Sequence, residues 1–193
     1  ESFDFSGYDL VLCSSSSCAK GVITLPSVPH IAYIHSPMRY AWDQFFEYQK
    51  RTNKLVAHFM SKFMPSIRLW DFVSSQRIDK LIANSNFIKR RIKKYWNLES
   101  DVIYPPVDTA RLSPNGKTAE DFYVVFSRFV PYKRIDLAIS ACGALGKKLV
   151  VIGDGSEEKE LKNLASKYKN AEIKFTGRIS DSEVKDYLQR CKA

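Results

Sequence analysis

The sequence predicts an α/β protein with parallel sheets in two successive units, and three observations carry that prediction. Residues 122–193 pass three times through an apolar strand, a short turn and an amphipathic helix. Such repeats close into a parallel sheet with right-handed crossovers. Residues 8–104 likewise alternate short apolar runs with helical stripes. Between them, residues 107–121 hold Asp108, Ser113, Pro114, Asn115, Gly116 and Lys117 and offer little to bury. The linker is placed at 113–121 inside that stretch, which leaves units of 1–112 and 122–193.

The elements follow in chain order. Residues 8–13 form an apolar run that ends in a serine cluster, a buried strand followed by a loop. Residues 19–25 fit a short helix or a strand equally well. Residues 30–35 (HIAYIH) form the next strand, closed by Ser36 and Pro37. A helix is expected from Tyr40 to about Met64, with Trp42, Phe45 and Phe46 on one face and Leu55, Val56, Phe59 and Phe63 continuing the stripe. Pro65 is expected to end it. A second helix over 66–77 would turn Ile67, Trp70 and either Val73 or Ser74 inward. Residues 79–84 (DKLIAN) form a strand, and Ser85 or Asn86 caps a helix with Ile88, Ile92 and Tyr95 inward. Its outer face would carry Lys89, Arg90, Arg91, Lys93 and Lys94. A strand over 101–104 precedes Pro105 and Pro106.

In the second unit, strand 123–126 leads to helix 135–145, with Ile135, Ala138, Ile139 and Cys142 at helical spacing. Strand 149–152 leads to helix 157–168, with Leu161, Leu164, Ala165 and Tyr168 inward. Strand 173–175 leads to helix 181–191, with Val184, Tyr187, Leu188 and Cys191 inward and a capping box of Ser180 and Glu183.

The chemistry concentrates in 122–155. There the loop 127–134 sets Arg128, Lys133 and Arg134 between a strand and a helix. Loops at the carboxyl ends of parallel strands are where open α/β sheets bind ligands. Cations there suit a phosphorylated ligand, since a guanidinium forks onto phosphate and a lysine acts as a point charge. Taken alone, such residues fit solvated loop charges as well.

A net charge of +9 over 193 residues implies anionic partners without choosing among nucleotides, nucleic acid and membrane surfaces. Nucleic acid is not expected, because no helix-turn-helix, RNP, KH or zinc signature occurs. Cys13, Cys18, Cys142 and Cys191 form no CxxC pair, so no metal site is expected and reduced thiols in a cytoplasmic protein are the better reading. No signal peptide or long apolar run is present. The start (ESFDFSGYDLVLC), without methionine, reads as an excised or truncated piece.

The runs FSRFVPYKRIDLAI, VVIGDGSEEKEL and FTGRISDSEVKDYLQRCKA resemble the opening of the carboxyl domain of the family 4 retaining glycosyltransferases. The runs YIHSPMRYAWD and IANSNFIKRRIKKYWNLESDVIYPPVDT resemble the second half of the amino domain of that family, closest to mannosyltransferase-like bacterial and archaeal members from polysaccharide and O-antigen clusters. The resemblance implies two Rossmann-like domains of GT-B type, both incomplete in this chain. It assigns Arg128 and Lys133 to the donor diphosphate. Gly153, Asp154 and Gly155 would form the glycine turn of the nucleotide-sugar pocket, with Ser156 where the family usually has proline, and Gly177, Arg178 and Ile179 would lie near the base. It places His35 at the transferred sugar, at the interdomain cleft, as a catalytic residue that is not a nucleophile. The family's glycine-rich loop and paired glutamates have no counterpart here.

The implied function is transfer of a hexose, with mannose from GDP-mannose favoured over UDP- or ADP-sugars, to a saccharide or lipid-linked acceptor. No other cofactor is implied. A non-catalytic nucleotide- or sugar-binding module and a GT-B sugar-nucleotide epimerase are the alternatives. Lys50, Arg51, Lys54, Lys62 and Arg68 interleave with Trp and Phe, which also suits peripheral contact with an anionic membrane.

Overall fold

The computed structural model describes residues 3–193 other than Arg51, Leu112, Asn115 and Lys117. Arg51 of the basic–aromatic stretch and Asn115 and Lys117 of the linker thus lie outside the described residues. The chain divides into two compact units, Glu1–Pro106 and Val107–Ala193.

In the first unit four parallel strands lie in sequence order: β1 (Val11–Ser15), β2 (His30–Ile34), β3 (Lys80–Ala83) and β4 (Asp101–Val102). The helices are α1 (Phe45–Lys50), α2 (Lys54–Ser75) and α3 (Asn86–Trp96). Because side chains alternate across a strand, Cys13, Ala32, Ile34, Leu81 and Ala83 share a face, and α3 covers it with Ile88, Ile92 and Trp96. Ser85 caps α3 by accepting from the Ile88 N–H at 3.3 Å. Asn97 ends the helix in the left-handed region at φ 56°.

Several expectations for this unit are corrected. The first strand lies further along than residues 8–13, because Ser14 and Ser15 pair with Tyr33 and Ile34. Residues 19–25 contain only a short 3-10 turn, Ala19–Gly21. Pro65 does not end a helix: α2 starts at an Asn53 cap and runs through the proline. Buried Met64 and partly buried Met60 and Ile67 pack with Met38, Ala41 and Phe45 on both sides of Pro65. That continuous packing offsets the missing N–H. The inward stripe is Met60, Met64, Ile67, Asp71 and Ser74, while Leu55, Val56, Phe59, Phe63, Trp70 and Val73 are exposed, as is Phe46 of α1. Arg91 is not on a solvated face; it is buried and ion-paired with Asp43. The arginine's hydrogen bond holds the Asp43 carboxyl below its usual range.

In the second unit β5 (Tyr123–Phe126), β6 (Leu149–Ile152) and β7 (Ile173–Gly177) form a parallel sheet in that order. β6 is central and buried at every position, so it reads as an uninterrupted apolar run. Leu149 and Val151 point to the face covered by α4 (Ile135–Ala144) and α5 (Glu158–Ala165). Val150 and Ile152 point to the face covered by α6 (Asp181–Arg190) through Val184. The Ser180–Glu183 capping box is formed. Leu188, expected inward, is exposed, because α6 packs through Val184, Tyr187 and Cys191. The segment before β5 runs beside α6: the Ser113 carbonyl accepts from Gln189 Nε2 at 2.8 Å, and Arg190 pairs with Glu120 at 2.9 Å.

Candidate functional site

In the second unit the loops that leave β5, β6 and β7 are stitched together by backbone hydrogen bonds. Ser127 N–H donates to the Ile152 carbonyl at 3.1 Å, Phe129 N–H to the Asp154 carbonyl at 2.6 Å, and Gly153 N–H to the Gly177 carbonyl at 3.0 Å. Glu157 N–H returns to the Phe129 carbonyl at 3.1 Å. This approach requires glycine. A Cβ on Gly153 would stand 2.0 Å from the Ser127 carbonyl oxygen, and one on Gly155 would stand 2.4 Å from that of Phe129. Both have positive φ, 129° and 154°.

Phe129, 1% exposed, anchors the first loop, and Arg128 beside it is thereby turned outward. Among the described residues the Arg128 guanidinium has no hydrogen-bond or ion-pair partner, and the Lys133 ammonium has none beyond the Tyr132 ring, 5.7 Å from its Nζ. Arg134 differs. It stands in the left-handed region and forks onto Asp136, with Nε 3.0 Å from Oδ1 and Nη2 2.8 Å from Oδ2. That contact holds the Asp136 carboxyl below its usual range and raises the Arg134 guanidinium further. Of the three cations on this loop, Arg134 is engaged by a carboxylate and Arg128 and Lys133 are not, among the described residues. Arg178 pairs with Asp154 at 2.9 Å, which joins the second and third loops. Ile179 packs with Phe122, Val150 and Ile152 beneath them.

His35 belongs to the first unit and directly follows β2. Its Nε2 lies 2.8 Å from Ser14 Oγ, and its ring stands edge-on to Tyr33 with centroids 5.3 Å apart. The His35 carbonyl accepts from Asn84 Nδ2 at 3.3 Å. Other hydroxyls and amides gather at the same carboxyl ends of the strands: Ser17 Oγ contacts Tyr40 OH at 2.9 Å, and Asn86 Nδ2 donates to Tyr104 OH at 3.0 Å. A row of small neutral polar groups suits a hydroxylated ligand. Sequence reasoning singled out only His35 there; the signal for the others was their place just after each apolar run.

The loop after β1 is held by a buried network that the sequence reading missed. Lys20, 1% exposed, pairs with Asp71 Oδ1 at 3.0 Å and donates to Ser74 Oγ at 2.6 Å. Its ammonium lies about 5 Å from the Trp70 and Trp96 ring centroids. Asp71 Oδ2 accepts from both Trp42 Nε1 and Trp96 Nε1, at 2.7 and 2.8 Å. Burial pushes the Lys20 ammonium below its ordinary value, and Asp71 opposes that shift.

Each unit is a parallel α/β sheet whose polar residues gather in the loops at the strand ends, which is the architecture in which such sheets carry ligand sites. The sequence profile described as Glycosyltransferase Family 4 matches residues 2–111, and that described as Glycosyl transferases group 1 matches residues 108–193. The chain belongs to glycosyltransferase family 4. An uncharacterized glycosyltransferase of Methanocaldococcus jannaschii is 30% identical over 113 residues, which cover 58% of this chain and 32% of the relative. The chain thus spans about a third of that relative's length. Among solved structures, AviGT4, a glycosyltransferase involved in avilamycin A biosynthesis, aligns with 98% of this chain and 45% of its own at 18% identity and a TM-score of 0.58. A Staphylococcus aureus TarM mutant in complex with fondaparinux, α-GlcNAc-glycerol and UDP aligns with 80% of this chain and 29% of its own at 16% identity and a TM-score of 0.54. These likenesses show the fold, Rossmann-like domains of GT-B type.

Proposed function

We propose that the protein transfers a hexose, mannose from GDP-mannose in the first instance, to a saccharide or lipid-linked acceptor with retention of configuration. The observation that carries this reading is the pair of exposed, unpartnered cations, Arg128 and Lys133, on a loop anchored by buried Phe129. As the glycosidic bond breaks, negative charge grows on the leaving diphosphate. Cations already fixed at that point stabilise it without reorganising. The Gly153–Gly155 turn brings backbone beside the same loop, where a Cβ would collide with the Ser127 or Phe129 carbonyl. Gly177 and Arg178 would face the base. His35, steadied by Ser14, would donate to or accept from a sugar hydroxyl. The UDP named with the TarM structure belongs to that protein, and it supports a nucleotide diphosphate for this site in kind only.

The test is Arg128→Ala and Lys133→Ala in the complete enzyme, with calorimetric titration of GDP, UDP and ADP and with turnover. Each substitution removes a charge-assisted contact of about 1.5–3 kcal/mol, roughly ten- to a hundredfold in affinity. Binding and turnover that both stay within about twofold of the parent would refute the diphosphate role. Tight nucleotide binding with no transfer to any acceptor would favour the non-catalytic module, and inversion at a sugar-nucleotide carbon would favour the epimerase.

The same reading includes contact with an anionic membrane from the cytoplasmic side. Among the described residues no helix is long and apolar enough to cross a bilayer. Support comes from exposed Leu55, Phe59, Phe63 and Trp70 on α2 beside exposed Lys54 and Lys62. Equal recovery with anionic and neutral vesicles in co-sedimentation would count against it.

A further inference from the structure

The segment between buried Phe129 and buried Ile135 is short and closely constrained. Its 3-10 turn, Pro131–Lys133, is closed by Lys133 N–H to the Val130 carbonyl at 3.0 Å and by Arg134 N–H to the Pro131 carbonyl at 3.3 Å. The chain then enters α4 through Arg134 at φ 52° and ψ 42°. A residue with a Cβ is strained there by about 1–2 kcal/mol, and glycine would not be. Among the described residues no side chain caps α4. What crosses the junction instead is the two-point Arg134–Asp136 fork, which reaches from the strained residue into the first helical turn.

We infer that the Arg134–Asp136 fork is a positioning device: it holds the loop-to-helix junction in the left-handed conformation that aims Lys133 at the ligand's phosphates. The inference rests on the diphosphate reading of Arg128 and Lys133. Lys133 is adjacent to Arg134, so the junction dihedrals set the direction in which its side chain leaves the loop. A guanidinium is suited to this because its planar fork fixes both distance and angle to a carboxylate, which an ammonium does not. The fork also places a carboxylate at the helix N-terminus, where the helix dipole favours it.

Simple charge counting predicts the opposite outcome, which makes the inference testable. Asp136→Asn removes a negative charge near the phosphate site and frees a third cation, so electrostatics alone would tighten binding of an anion. Positioning requires that it weaken binding. The measurement is the dissociation constant for GDP and for UDP by calorimetry on the complete enzyme, with melting temperature as the control for folding. Asp136→Asn, Arg134→Gly and Arg134→Lys should each weaken binding roughly tenfold, as loss of an orienting partner does elsewhere. Because Lys133 would also meet the charge that grows on the leaving diphosphate, kcat should fall along with the rise in donor KM. Arg134→Gly should melt no lower than the parent, since glycine relieves the left-handed strain. Tighter or unchanged binding in Asp136→Asn, or unchanged binding in Arg134→Gly, overturns the inference. Lys133→Ala separates the two readings. If it weakens binding while the fork variants do not, only the fork falls; if it has no effect, the diphosphate reading falls as well.

Discussion

Gly153 and Gly155 set how closely the first two loops of the second unit approach. Alanine at Gly155 would combine a disfavoured φ with a Cβ 2.4 Å from a carbonyl oxygen. Unfolding by urea should therefore show a loss of at least about 2 kcal/mol, and an unchanged midpoint would mean that the two loops part at little cost. His30 supplies a pH dependence. It is buried, with Nδ1 unpartnered among the described residues and Nε2 3.4 Å from Cys13 Sγ, and burial holds its pKa below the ordinary 6.5. In the unfolded chain it takes up a proton near 6.5, whereas in the folded chain it does so only at lower pH. The unfolded state binds more protons between those values, so stability falls as pH drops through that window. His30→Asn should flatten the slope of unfolding free energy as pH falls below about 6.5; an identical slope would assign it to other groups. The place of Arg128 and Lys133 on the loop after an apolar strand was legible in the sequence. The engagement of Arg134 by Asp136 was not, since it depends on a backbone dihedral. Nor was the burial of Arg91, because a run of basic residues looks solvated until Asp43 is brought over it.

Among the elements, α2 shows where periodicity misleads. Its apolar residues occupy both faces, and the aromatic ones that stood out in the sequence are the exposed ones. The buried stripe instead contains two methionines, an isoleucine and the polar pair Asp71 and Ser74. Lys20 and Asp71 join the 3-10 turn to α2, while Trp42 and Trp96 bring in the segment before α1 and the end of α3. Removing one partner of such a pair leaves a buried charge. Lys20→Met should cost roughly 3–5 kcal/mol. Adding Asp71→Asn should restore part of the loss, since a neutral amide oxygen still accepts from the indoles. Strict additivity in a double-mutant cycle would mean that the two charges do not interact. Lys20 was invisible in the sequence because lysine is rarely this buried, and only a partner from a distant helix permits it. The strand–helix units of the second unit were far more legible, for two of the strands are pure apolar runs, the third alternates Ile173, Lys174 and Phe175, and each helix has one inward stripe.

For the whole molecule, each unit holds a core of its own, and we propose that the boundary is open to proteases. Trypsin should cut first at exposed Arg111, between the last strand of one unit and the first of the next, and release two fragments that resist further digestion. First cleavage inside α3 or α5 would contradict it. The sequence by itself determined the α/β class and the order of strands and helices, and it offered a two-unit division and two cations for a diphosphate. Those properties follow from local periodicity and from residue chemistry at strand ends, both readable along the chain. Only the tertiary structure decided that α2 runs through Pro65, that Lys20 and Arg91 are buried, that Ser14 steadies His35, and that Arg134 is held by Asp136. Each of these depends on contacts between distant residues or on a backbone dihedral, and neither is encoded in spacing alone.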